Sequence, residues 1–170
     1  MKIISLIAAL WGIVGITLLL GKAILGMQPH VNEALAEPFA LLHWIILIGF
    51  CFFMLYFEGY KGFQKKYSPR TAARVRYLRD HPNILHYLLA PLFCMGYFFA
   101  NRKTKLKAYI LTIGIALLVM AMNKCPQPWR GIVDLGVMLG LSWGLVAFWV
   151  FCFQALTQKN FPHSPETPGS

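Results

Sequence analysis

Residues 131–156 read GIVDLGVMLGLSWGLVAFWVFCFQAL, with Asp134 as the sole charged side chain. A helix of about 20 apolar residues crosses the hydrocarbon core of a bilayer, and this stretch is longer than that. Comparable runs occupy residues 3–21, 40–57 and 106–122. Only 13% of the 170 residues are charged, whereas 58% are hydrophobic, and the mean hydropathy is +0.57. A soluble domain carries about a quarter charged residues, so this chain cannot dress its surface for water. The sequence predicts an all-α polytopic membrane helix bundle in a single domain, residues 1–157. A polar, Pro-rich tail, residues 158–170, is expected to be disordered.

The charges orient the bundle. Formal net charge is +10, and the excess is local. Seven Lys and Arg lie between Lys61 and Arg79, and four between Arg102 and Lys107. Such clusters favour the anionic cytoplasmic leaflet. A fifth apolar run, ILHYLLAPLFCMGYFFA at 84–100, decides how they are distributed. It is at the lower length limit for a span, and Pro91 interrupts it. If it crosses, the two clusters fall on opposite faces. If it dips in and returns, Lys2, both clusters and Lys159 share one face, leaving Lys22, Lys124 and Arg130 on the other. The positive-inside bias favours the second arrangement: four spans, a half-inserted segment at 84–100, and both termini cytoplasmic. A bacterial inner (plasma) membrane is the natural setting.

The first run follows a lone Lys2 and is long for a signal peptide, so it reads as an uncleaved helix. Residues 22–39, with Glu33, Glu37, Pro29 and Pro38, read as a polar connection. Residues 58–83 read as a basic loop. Within it, Ser68-Pro69 resembles a helix start and Asp80-His81-Pro82 a stop. Ala72, Val75 and Leu78 recur at helical spacing among arginines, which predicts a basic amphipathic helix on the cytoplasmic headgroups.

Polar residues in such a chain are the functional candidates. Lys61, Lys65, Lys66, Arg70, Arg74, Arg76, Arg79, Arg102 and Lys103 suit an anionic headgroup or ligand, since Arg binds phosphate bidentately. The plainer reading is general attraction to anionic lipid. Glu58, His86, Arg130 and Asp134 lie at or near membrane depth, where ionisable groups are functional by default. Arg130 and Asp134, one turn apart, also suit a structural ion pair. Glu58, Tyr60, Lys61, Gln64, Arg70 and Arg74 are expected to converge below the bundle, with Gly59 and Gly62 allowing a bend. Gly136, Gly140 and Gly144 form a small-residue stripe for close helix packing. Trp143 and Trp149 lie off the stripe.

Cys51, Cys94, Cys125 and Cys152 form no zinc or disulfide pattern, and no metal or other cofactor is expected. No nucleophile elbow, phosphate-binding loop or zinc-protease motif occurs, so an enzyme is not the favoured reading. The basic residues sit close to apolar spans, which disfavours nucleic acid as a partner. The expectation is a non-enzymatic accessory, assembly or interaction subunit. Its partners would be anionic lipids and either another membrane protein or a second copy. The alternative is a small transporter or lipid-handling protein for an anionic solute or headgroup.

Overall fold

A computed structural model describes residues 2–81 and 83–168, the side chains of residues 2 and 3 excepted. Among them there are helices and no strands. Helix α1 covers Lys2–Ala36 and α2 covers Leu41–Met54. A π-helical segment, Leu55–Tyr67, runs directly into α3, Ser68–Asp80. Two short helices follow, α4 at Ile84–Leu88 and α5 at Ala90–Met95. Then come α6, Arg102–Met122, and α7, Trp129–Thr157. Four helical stretches are long and apolar enough to cross a membrane: Ile4–Ala36, Leu41–Asp80, Arg102–Met122 and Trp129–Thr157.

Two expected loops are helical. Residues 22–36 continue α1 through Pro29. Tertiary packing outweighs the lost backbone bond there: Val31 and Ala34 are buried, and Ala34 packs against the bare backbone of Gly131. Residues 58–80 are helical as well, continuous with α2. Gly59 and Gly62 do not break the helix; the chain there takes the wider i→i+5 hydrogen bonding of a π-helix. Nor does α3 lie on a surface. Its small residues Ser68, Thr71, Ala72, Ala73 and Val75 are buried with Leu78, letting α1 and α7 approach closely. The Pro82 of the expected stop lies outside the described residues.

The core sits at this basic end. Ile16 and Leu20 of α1 meet Ala72, Val75 and Leu78 of α3, Phe93 and Cys94 of α5, and Phe148 and Cys152 of α7. Lipid supplies no hydrophobic drive between helices, so close approach through small residues matters most. A side-chain carbon on Gly136 would lie 2.5 Å from the Phe50 ring, and one on Gly140 would lie 2.8 Å from the Glu58 carboxylate. The Phe63 ring fills the place beside Gly144. The stripe thus packs on α2 and the π-helical segment of its own chain.

Residues 84–95 rise about 18 Å at 1.5 Å per residue, well short of the hydrocarbon thickness. Asn83 caps α4 by accepting from Leu85 N–H at 3.0 Å. The helix breaks at Leu89 (φ −105°, ψ 31°), beside Pro91. Gly96 ends α5 at φ 92°, a left-handed stop that suits glycine. Pro91 seats against Gly15 of α1, and Cys94 and Ala90 against Gly12. The described part of the tail carries no helix, but it is not loose. Arg76 donates to the Gln158 and Lys159 carbonyls at 2.9 and 2.6 Å, and Asn101 N–H donates to the Glu166 carbonyl at 3.0 Å. Backbone carbonyls left free by the lack of secondary structure find arginines instead. Residues 169 and 170, also expected to be disordered, lie outside the described residues.

Candidate functional site

The π-helical segment sets the site's basic wall. Its register stacks residues five apart: Lys61 Nζ lies 4.8 Å from the Tyr56 ring centre and Lys65 Nζ 4.8 Å from that of Tyr60. Such cation–π contacts suit an interfacial layer. One half-turn further, Lys65, Lys66, Tyr67 and Arg70 border a cleft of about 640 Å³. The opposite wall is α6, with Lys107, Ala108, Leu111, Thr112 and Ile115. Met95, Tyr97 and the tail residues His163, Ser164 and Glu166 complete it. Four cations and one carboxylate thus line the cleft, and an apolar strip of α6 continues from them.

Arg70 is the most committed of the four. Its side chain is 15% exposed, and Nη1 lies 3.9 Å from Glu166 Oε2. That is an ion pair rather than a hydrogen bond, and the buried Arg70 Nε has no acceptor. The guanidinium therefore has no hydrogen-bonded anion of its own.

Arg74 is fully buried, and Nε donates to the Phe93 carbonyl at 2.6 Å. Nη1 donates to the Pro165 carbonyl at 2.8 Å, and Nη2 to the Phe98 and Phe99 carbonyls, both at 3.0 Å. The Phe93 ring lies 4.2 Å away. This arginine binds α3, α5, the following turn and the tail into one unit. Compared with family models, characterised proteins and solved structures, the chain matches none, so the geometry has to carry the reading of the site.

The other sequence candidates disperse. Lys61 stays with its aromatic rings outside the cleft. Arg76 holds the tail and Asp80 and borders a smaller cleft of about 380 Å³, while Arg79 holds Asp80 and the Leu156 carbonyl at the end of α7. Arg102 and Lys103 are exposed at the start of α6. Glu58 turns away from the arginines towards Gly140, and its buried Oε2 has no hydrogen-bond partner. Gln64 accepts from Trp143 Nε1 at 2.8 Å. Of the six residues expected to converge, only Arg70 lines this cleft; Lys65, Lys66 and Lys107 join it from outside that set.

His86 is buried among Phe93, Phe98 and Phe99, with ring centres 4.6–5.9 Å away. Burial, reinforced by nearby Arg74, lowers its pKa below the usual histidine value. At the far end, Arg130 pairs with Asp134 at 3.9 Å. It also reaches His30 Nε2 at 2.7 Å and Asn123 Oδ1 at 3.1 Å, so it joins α7 to α1. Lys107, Tyr67 and Glu166 were not legible as site residues. Lys107 alone left a signal, four residues after Lys103 on one helical face. Among the described residues, no group of three His, Cys, Asp or Glu is placed to hold a metal ion.

Proposed function

We propose that the protein is a multi-pass inner-membrane protein that holds the phosphate of an anionic lipid in the cleft between the π-helical segment and α6. Both termini lie on the cytoplasmic side, and residues 84–100 are half-inserted there without crossing. The observation that carries the reading is Arg70, mostly buried and with an unpaired Nε, beside Lys65, Lys66 and Lys107 at the start of an apolar strip. A phosphate satisfies Arg bidentately. Leu111 and Ile115 supply a path for acyl chains, which a free inorganic phosphate would not use. The shared cleft also supports the orientation, because it gathers the two basic clusters at one end of the molecule.

The test is native mass spectrometry in mild detergent, with phosphatidylglycerol, phosphatidylcholine or inorganic phosphate added. One tightly held phosphatidylglycerol is expected. Removing a basic residue near a membrane surface costs about 1 kcal/mol, so Arg70→Gln and Lys107→Gln should each weaken retention about fivefold. Equal retention of phosphatidylcholine would sink the headgroup reading. Competition by inorganic phosphate alone would make the ligand a soluble anion.

A second reading, an accessory or assembly subunit, has one specific support. Every residue of α6 from Tyr109 to Ala121 is exposed, so among the described residues no helix covers this stretch. A stoichiometric foreign polypeptide in the same spectra would favour that reading, and its identity would supply the function.

A further inference from the structure

The carboxylate inside the cleft belongs to the chain's own tail. Glu166 Oε2 is the anion nearest Arg70, at 3.9 Å, and it also accepts from Thr104 Oγ1 of α6. The backbone is shaped to deliver it. Glu166 sits at φ 50°, in the left-handed region that a residue with a side chain disfavours. Three hydrogen bonds hold that turn: Asn101 N–H to the Glu166 carbonyl at 3.0 Å, Glu166 N–H to Ser164 Oγ at 3.1 Å, and Arg74 Nη1 to the Pro165 carbonyl at 2.8 Å. Yet the carboxylate stops short of hydrogen-bonding Arg70, and Arg70 Nε is left without an acceptor.

We infer that the C-terminal tail is a displaceable internal occupant of the headgroup site, with Glu166 standing where the lipid phosphate goes. This rests on the headgroup reading above and adds its regulation. Lipid and tail compete for Arg70, so lipid occupancy releases the tail and a bound tail lowers lipid affinity. Displacing Glu166 breaks its bond from Thr104 Oγ1; a phosphate offsets that loss by meeting Arg70 at hydrogen-bonding distance, which the carboxylate, at 3.9 Å, does not.

The experiment compares the unaltered protein with Glu166→Asn, Arg70→Gln and the double variant. Asn tolerates the left-handed backbone, so the first change removes the charge and keeps the turn. Phosphatidylglycerol affinity is read in nanodiscs of phosphatidylcholine doped with phosphatidylglycerol. Amide hydrogen exchange of residues 160–168 is read on the unaltered protein in the same nanodiscs. Glu166→Asn should raise affinity about fivefold, one charge's worth near a membrane surface. The gain should vanish in the Arg70→Gln background, and tail exchange should quicken as phosphatidylglycerol is added. If Arg70→Gln weakens binding but Glu166→Asn changes nothing, or if tail exchange is indifferent to the lipid, the tail is a structural strap and the inference fails. If Arg70→Gln also leaves binding unchanged, the headgroup site itself is refuted.

Discussion

Two arginines at the basic end show how little residue type alone reveals. Arg70 and Arg74 are one turn apart in a run of arginines, yet one borders a cleft and the other is enclosed by carbonyls. Arg74→Met would leave four carbonyls without their donor. An unsatisfied buried group costs about 1–3 kcal/mol, so a loss of at least ~3 kcal/mol is expected. Arg74→Lys should rescue little, since an ammonium lacks the planar fork that serves several acceptors. Thermal unfolding in detergent checks both; full stability of the lysine variant would show that charge alone suffices. His86 gives a pH dependence. Its pKa in the fold is depressed by burial and by Arg74, so the folded protein favours the neutral ring. Above the unfolded value of about 6.5, neither state is protonated and this contribution is complete. As pH falls below that value, the unfolded chain takes the proton first, and stability is lost down through the lower folded pKa. Melting temperatures should therefore drop between pH 7.5 and 5.5, and His86→Leu should flatten that slope. An unchanged slope in the variant would assign the pH dependence to other groups.

Glycine placement governs the elements. Gly136 leaves no room beside Phe50, whereas Gly114 of α6 has open space around it. Overpacking a fitted interior costs about 1–3 kcal/mol. Gly136→Leu should therefore lower the abundance and melting temperature of the membrane-extracted protein, and Gly114→Leu should leave both near the unaltered values. Equal tolerance at the two sites would undo the account of α7 packing on α2. The same contrast separates the spans. Helices α1 and α7 bury their small residues in the bundle, while α6 is anchored at its first turns by Thr104 and Ala108 and then stands exposed. A helix so placed has its apolar side chains matched to lipid rather than to protein. That leaves the space between α6 and the π-helical segment from which the cleft is formed.

Four apolar stretches were plain in the sequence of the whole molecule, because hydrophobic length against bilayer thickness is a local property. Whether residues 84–100 cross was open to a charge count alone. The proposed orientation predicts that single cysteines at Asn83, Asn101 and Gln158, in a chain freed of its native cysteines, label from the cytoplasmic side. A cysteine at Lys124 should label from the opposite side. Labelling of Asn83 and Asn101 from different sides would mean a fifth span and would separate the basic clusters. By itself the sequence determined the all-helical membrane class, the four long apolar helices and the tight-packing stripe on α7. Tertiary structure alone decided that the basic segment 58–80 is a helical continuation of α2 whose second half, α3, is buried. It also decided that Glu58 and Arg74 turn away from Arg70, and that Glu166 returns to it across almost a hundred residues. The reason is that apolar length and small-residue spacing act along one helix, where neighbours in sequence are neighbours in space. A cation's partner is fixed by which helices, turns and tail carbonyls close around it, and no spacing within the chain encodes that.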